Sequence, residues 1–95
     1  MKLSLVLIVY RSKSTIAKQT ASICEKLLSD KKISVIKLGS EFDQDVLQKT
    51  LNKYSLLPNL VIVLGGDGTV LKTSNELINF NIPILSFNIG GNLGF

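Results

Sequence analysis

Residues 60–69 read LVIVLGGDGT, an apolar run followed directly by Gly-Gly-Asp-Gly-Thr. Five consecutive apolar residues without polar alternation are typical of a strand that is buried on both faces of a parallel sheet. Beyond the glycines, apolar side chains recur at helical spacing from Thr69 to Asn79. The stretch therefore predicts a strand, a glycine-rich turn and a helix, the arrangement that carries ligand sites in open α/β sheets.

Three similar apolar segments, at residues 3–10, 33–38 and 84–87, predict further buried strands. The segment between the first two has the spacing of an amphipathic helix, with Ser14 as its N-cap. A shorter helix is predicted around residues 46–51, after two aspartates. This alternation predicts an α/β fold with an open, mostly parallel sheet and helices on both of its faces.

The apolar spacing also predicts which side of each helix faces the sheet. On the first helix these residues are Ile16, Thr20, Ile23, Cys24, Leu27 and Leu28. On the second helix, which Asp43 and Asp45 open, they are Val46, Leu47, Thr50 and Leu51. On the third helix they are Val70, Leu71, Ser74, Leu77 and Ile78. Cys24 is therefore interpreted as a core residue.

Length and composition restrict the class of protein. The 95 residues, 45% of them hydrophobic, fit a single globular domain with a modest core. The longest apolar run, from Leu5 to Tyr10, is far shorter than the ~18 residues that a membrane span needs. One cysteine and no histidine leave no internal disulfide and few metal ligands. We therefore expect a soluble, cytoplasmic domain with no membrane partner and no metal site built from its own side chains.

The net charge of +4 comes from the first fifty residues, which hold nine Lys or Arg against five Asp or Glu. The basic residues in and around the first helix are Lys13, Lys18, Lys26, Lys31, Lys32 and Lys37. They are spread along the helix and its exit, without aromatic residues between them that would stack on bases. We interpret them as a solvated face and expect a small anionic ligand elsewhere, and no nucleic acid partner.

The glycine turn fits no standard phosphate motif. A Walker loop needs a glycine ahead of Lys13-Ser14, and a dinucleotide fingerprint from Gly66 needs glycine at the position of Leu71. Asp67 either accepts a proton or helps to hold a magnesium ion, or else it belongs to an ordinary Asp-Gly turn and caps the helix. Lys72 either reaches toward the turn or is a surface lysine.

A second glycine cluster, NIGGNLGF at residues 88–95, follows the fourth strand. The carboxyl ends of parallel strands meet at one sheet edge, so we expect both clusters to form one split nucleotide site. Taken singly, the second cluster is equally compatible with a flexible exit from the sheet.

Taken together, the two clusters resemble NAD kinase. The resemblance lies in Gly65-Gly66-Asp67-Gly68-Thr69 and in Asn-x-Gly followed by Leu-Gly-Phe, and it is strongest over residues 61–95. Many family members have one residue between the glycine of Asn-x-Gly and the Leu-Gly-Phe, whereas this chain has two. The resemblance implies a Rossmann-like, phosphofructokinase-like N-terminal α/β domain over residues 1–95. The resemblance further implies that these 95 residues stop before the family's C-terminal all-β domain, an expectation in line with the apolar ending of the sequence.

The resemblance also implies a reaction and a set of site residues. NAD kinases transfer phosphate from ATP (polyphosphate in some members), with Mg²⁺, to the 2′-hydroxyl of the adenosine ribose of NAD. Asp67 matches the proton acceptor, and Gly68 matches a glycine that contacts NAD. Gly65, Gly66 and Thr69 match the phosphate-facing loop, Lys72 a basic position near the dinucleotide, and Phe95 a position lining the NAD pocket. The full-length family members are expected to be homo-oligomers.

Two other functions remain open at this point. Diacylglycerol and sphingoid lipid kinases share Gly-Gly-Asp-Gly-Thr, and phosphofructokinases share its Gly-Gly-Asp-Gly core, but the Leu-Gly-Phe ending favours NAD kinase. Alternatively, the 95 residues are a nucleotide-binding portion without catalysis, because half a site does not exclude water or orient the acceptor.

Overall fold

The computed structural model describes residues 2–54 and 56–89. Their secondary structure runs β1 (Leu5–Tyr10), α1 (Thr15–Asp30), β2 (Ser34–Gly39), α2 (Gln44–Leu51), β3 (Leu60–Gly65), α3 (Asp67–Glu76) and β4 (Ile84–Asn88). The four strands form one parallel sheet in the order β2-β1-β3-β4. The predicted α/β class is confirmed, and the strand bounds differ from the predicted ones by one or two residues.

Two apolar layers enclose the sheet. On one face, α2 and α3 bury Leu47, Leu51 and Leu77 against alternate residues of β1 and β3. On the other face, α1 packs Ala17 and Ala21 against the remaining residues of the same strands. The central strands β1 and β3 are therefore buried on both sides, as the near-continuous apolar runs predicted.

The fourth strand differs from the prediction of burial on both faces. Leu85 and Phe87 are 47% and 45% exposed. Their pairing with Ile62 and Leu64 places them on the face that α1 covers. Within the described residues β4 is the last strand on that side, and α1 lies over the other strands, so this part of the face stays open.

The predicted inward face of α1 is wrong in its phase. Ile16, Ile23 and Leu27 are 60% exposed or more, whereas Ala17 and Ala21 are fully buried. The two small alanine side chains let the helix backbone approach the sheet closely, and the larger side chains of Ile16, Ile23 and Leu27 are left exposed beside this contact. Leu28 and Cys24 are partly buried against the same cluster, so the interpretation of Cys24 as a core residue is confirmed.

The inward side of α3 agrees with the predicted one only in part. Val70 and Leu77 pack against the core as predicted, whereas Leu71 and Ile78 are exposed and Thr73 is buried. A buried threonine is tolerated here because its hydroxyl donates to the carbonyl oxygen of Thr69 at 2.7 Å.

The caps of the first two helices follow the sequence signals. The Ser14 hydroxyl oxygen accepts a hydrogen bond from the Ala17 amide at 3.0 Å. An Asp43 carboxylate oxygen accepts one from the Val46 amide at 2.9 Å. These bonds satisfy amides that a helix leaves without an intrahelical partner.

An asparagine joins the amino ends of the two central strands. The side-chain oxygen of Asn59 accepts hydrogen bonds from the Ser4 amide at 2.6 Å, the Ser4 hydroxyl at 2.9 Å and the Leu5 amide at 3.0 Å. The backbone amide of Asn59 in turn donates to the Leu5 carbonyl oxygen at 2.8 Å. This contact fixes the register of β1 against β3 at the edge opposite to the glycine turn.

No helix within the described ranges is long and apolar enough to cross a membrane.

Candidate functional site

The strand order places a crevice at the carboxyl ends of β1 and β3. After β1 the chain crosses to β2 on one side, and after β3 it crosses to β4 on the other. Loops that leave in opposite directions open a gap between them, which is where ligands bind in folds of this type. The Arg11 amide donates to the Leu64 carbonyl oxygen at 2.9 Å and closes the floor of this gap.

A cleft of about 580 Å³ occupies this position. Its lining residues come from the ends of all four strands: Arg11, Lys13, Ser40, Glu41, Gly66, Asp67, Gly68, Thr69, Lys72 and Asn88. The structure thus brings together five of the residues that the sequence singled out, and it adds the first residue of the second glycine cluster. Gly65 is buried beneath the cleft, and Phe95 lies outside the described residues.

Asp67 is the first residue of α3 and its side chain is exposed in the cleft. The N-cap position belongs to Gly66, so the alternative in which Asp67 caps the helix is wrong. Acidic side chains are favoured in the first turn of a helix, where the positive end of the helix dipole lies. The position therefore presents a carboxylate to a ligand in the cleft.

The amino end of α3 differs from those of α1 and α2. No side chain of the described residues caps it, and its first backbone bond runs from the Val70 amide to the Gly66 carbonyl oxygen at 3.1 Å. The amides of Asp67, Gly68 and Thr69 precede that bond. Amides at such a helix end bind anions readily, because they point outward with the positive end of the dipole.

The glycines of the turn have different physical roles. A Cβ atom on Gly65 would lie 2.8 Å from the Thr69 Oγ1 and 3.0 Å from the Thr69 Cβ, so close packing against α3 requires glycine there. A Cβ atom on Gly66 or Gly68 would meet no described atom within 4 Å, and neither residue has a left-handed backbone. Packing among the described residues thus gives no reason for these two glycines, whereas close approach of a ligand to the backbone does.

Lys72 contacts the loop between β2 and α2 rather than the glycine turn. Its Nζ donates to the carbonyl oxygen of Ser40 at 2.6 Å and to that of Phe42. The same ammonium lies 4.2 Å from the centre of the Phe42 ring. Neither alternative for Lys72 is correct: the half-buried residue contacts the loop after β2 instead of the glycine turn, and it links two walls of the cleft.

Four cleft residues were missed as site residues from the sequence. Arg11 and Lys13 follow β1 directly, so the rule that strand ends share one edge was sufficient to indicate them. Lys13 was instead interpreted as part of a solvated face. Ser40 and Glu41 follow β2 directly, so the same rule was sufficient to indicate them as well. Three basic groups and two carboxylates line the cleft, which gives it a net positive charge.

The side chains of the cleft suit a phosphate-borne magnesium ion. Within residues 2–54 and 56–89, no three His, Cys, Asp or Glu side chains are grouped to hold a metal. The cleft offers the carboxylates of Asp67 and Glu41. Magnesium commonly keeps several waters and binds one or two carboxylates together with substrate phosphates. These residues therefore fit an ion that arrives with its phosphate ligand.

Comparisons with known proteins identify the family of this chain. Residues 6–95 match the family model described as ATP-NAD kinase N-terminal domain. NAD kinase 1 of Prochlorococcus marinus subsp. pastoris is 53% identical over 90 residues, which are 95% of this chain and 30% of that protein. NAD kinase 1 of Trichormus variabilis is 38% identical over 95 residues, 100% of this chain and 31% of that protein. The chain thus spans about 30% of the length of these curated relatives. It belongs to the NAD kinase family, over the part described as the N-terminal domain.

Proposed function

We propose that this chain supplies the phosphate-loop half of a NAD kinase active site, in a protein that continues into a C-terminal all-β domain. The reaction transfers the terminal phosphoryl group of ATP to the 2′-hydroxyl of the adenosine ribose of NAD and gives NADP. The observation that carries the proposal is the uncapped amino end of α3. There Asp67 is exposed between two glycines whose missing side chains leave the backbone open to a ligand.

Asp67 is proposed as the proton acceptor. As the ribose oxygen forms its bond to the terminal phosphorus, its proton passes to the Asp67 carboxylate, and the bond from that phosphorus to ADP breaks. An in-line transfer of this kind depends on positioning and on charge neutralisation, with a positioned base worth a factor of about 10²–10⁴. The exposed carboxylate at the mouth of the cleft has the access that such a step requires.

The phosphate groups are proposed to lie against the start of α3. Gly66 and Gly68 let them approach the amides of the first turn, and Gly65 holds that turn against the end of β3. Arg11 and Lys13, on the opposite lip, neutralise negative charge. Thr69 and Phe95 retain the roles that the family resemblance implies, as a loop residue and a pocket residue.

Magnesium fits this arrangement through the Glu41 carboxylate and the substrate phosphates, which leaves Asp67 to accept the proton, and when bound it supplies charge neutralisation of the phosphate oxygens. The full-length protein is proposed to be a cytoplasmic homo-oligomer. For the 95 residues alone we propose nucleotide binding without turnover. A cleft open on one side does not exclude water or orient the acceptor.

The test compares two proteins. One is this chain, and the other joins residues 1–95 to the remaining part of the Prochlorococcus marinus relative, whose own complete chain serves as positive control. NADP formation from NAD and Mg-ATP is measured for both, and nucleotide binding by calorimetry. We expect binding by both proteins and NADP only from the joined one.

Asp67→Asn in the joined protein tests the catalytic residue. We expect turnover to fall by about 10²–10⁴ while the melting temperature and the nucleotide affinity change little, because only the proton acceptor is lost. Near-normal turnover with asparagine would contradict the assignment. If the joined protein is folded and makes no NADP but phosphorylates diacylglycerol or a sphingoid base, the proposed substrate is wrong. If it is folded and binds nucleotide but phosphorylates none of these acceptors, the chain is a binding module.

A further inference from the structure

The loop between β2 and α2 forms one wall of the cleft although it has no regular structure of its own. Ser40 and Glu41 line the cleft, and Phe42 is buried in the core beneath them. The Ser40 amide donates to the Tyr10 carbonyl oxygen at 2.8 Å, which holds the start of the loop against β1. The Phe42 amide also donates to the Gly39 carbonyl oxygen at 3.2 Å, and the Ser40 hydroxyl accepts from the Ser12 amide at 3.2 Å. None of these bonds reaches α3.

Lys72 makes the contacts that join this wall to α3. Two of its three N–H groups donate to the carbonyl oxygens of Ser40 and Phe42, which flank Glu41. The ammonium also lies over the Phe42 ring at 4.2 Å from the centroid. A partly buried charge that is held by two carbonyls and an aromatic face is fixed in direction.

A second bond runs parallel to this one. The Gln44 side chain donates to the Glu76 carbonyl oxygen at 2.8 Å, so the start of α2 is joined to the end of α3. This bond lies about one helical turn beyond Lys72 on α3 and joins the two helices to each other rather than Ser40 and Glu41 to α3. Among the hydrogen bonds between described residues, those of Lys72 are the ones that run from the segment carrying Ser40 and Glu41 to the helix carrying Asp67.

We propose that Lys72 is a positioning residue: it sets the Ser40–Phe42 wall at the right distance from Asp67 and does not act mainly by contacting the nucleotide. The kinetic part of this inference rests on the proposed function, and the structural part does not. Removing the ammonium leaves the Ser40 and Phe42 carbonyls without their donor and frees the loop to shift. Displacements of about 1 Å in such a site cost on the order of 10²-fold in rate.

The test is a double-mutant cycle between Lys72 and Phe42 in the joined protein described above. Lys72→Met removes the charge, and Phe42→Leu removes the ring while it keeps an apolar side chain in the core. We expect Lys72→Met to lower kcat/KM by about 10- to 100-fold, mainly in kcat, with the nucleotide KM within about threefold. Adding Phe42→Leu to Lys72→Met should then change little, because both substitutions release the same wall.

Two further variants separate this role from others. Lys72→Arg keeps the charge, the ring contact and enough donors for both carbonyls, so it should recover most of the loss. Lys18→Met makes the same chemical change on the exposed side of α1 and should match the wild-type enzyme. The inference is overturned if the losses of kcat/KM from the two single substitutions multiply fully in the double variant. It is also overturned if Lys72→Met changes KM alone, because Lys72 would then contact the ligand directly.

A ligand-free measurement keeps the inference testable if the joined protein makes no NADP. Backbone amide resonances of Ser40, Glu41 and Phe42 are recorded in the 95-residue chain. We expect Lys72→Met to shift them before any nucleotide is added, and Lys72→Arg to restore them. Unchanged resonances in folded Lys72→Met would show that the wall does not depend on Lys72, whatever reaction the protein catalyses.

Discussion

Gly68→Ala separates the stability of the glycine turn from its function. Gly68 is the second residue of α3, its backbone is not left-handed, and an added Cβ meets no described atom within 4 Å. Alanine at such a position stabilises by about 0.4–1 kcal/mol, because the unfolded chain loses less entropy and the helix propensity improves. In a domain of this size we expect the melting temperature to rise by about 2–6 °C.

The same substitution should weaken nucleotide binding. In the proposed site, a methyl group on Gly68 occupies the space through which a phosphate reaches the amides of the first turn. Because this methyl group is attached directly to the backbone, it cannot rotate out of the way. We expect the affinity for ATP, measured by isothermal titration calorimetry, to fall by at least about tenfold, a loss of about 1.4 kcal/mol. The two effects have opposite signs, so a general loss of folding cannot imitate them.

Gly65→Ala is the matched control in the same turn. Its Cβ would press on the Thr69 Cβ at 3.0 Å, which cannot rotate away, so the first turn of α3 must shift. Overpacking of this kind costs about 1–3 kcal/mol, and the melting temperature should fall. The reasoning would be refuted if Gly68→Ala bound ATP as tightly as the wild type. Close approach of a ligand to the backbone would then no longer explain why position 68 is glycine.

Two other substitutions test features at the opposite ends of the sheet. Asn59→Leu removes the oxygen that accepts from the Ser4 and Leu5 amides, so urea unfolding should show a loss of about 1–3 kcal/mol, and Asn59→Asp, which keeps the acceptor, should recover most of it. An equal loss in both variants would contradict the role of that oxygen. Lys13→Met should weaken ATP binding about two- to fivefold and flatten its dependence on salt, as expected for one exposed charge at the cleft. Lys18→Met is the control, and an identical salt dependence in both variants would exclude Lys13 from the site.

Local signals in the sequence were sufficient for the elements of the fold. Ser14 and Asp43 cap their helices as predicted, because capping depends on residues three positions away. Apolar runs indicated β1 and β3 correctly, since both faces of each strand are covered. The glycine turn and Asn88 lie at one edge because parallel strands end together, which needs only the strand assignment.

Features that depend on tertiary packing were not accessible in the same way. Ile16 and Ile23 fit a helical stripe as well as Ala17 and Ala21 do, and only the close approach of α1 to the sheet decides between the two. Hydropathy favours the larger residues, so the predicted phase of α1 was wrong. The contacts of Lys72 with a loop thirty positions earlier have no local signature, so the link that Lys72 makes between that loop and α3 was not predicted.

The central place of β1 in the sheet has a consequence for synthesis on the ribosome. β1 needs both β2 and β3 as neighbours, so its second edge remains unpaired until Gly65 has been added. At about 5–20 residues per second, the roughly 55 residues from Tyr10 to Gly65 take on the order of 3–11 s. During that interval the run LVLIVY, without charge or proline, has the composition of an aggregation-prone segment. Lys2 and Arg11 flank it on either side, and their charges oppose its association with other nascent chains while it waits for its partner strand.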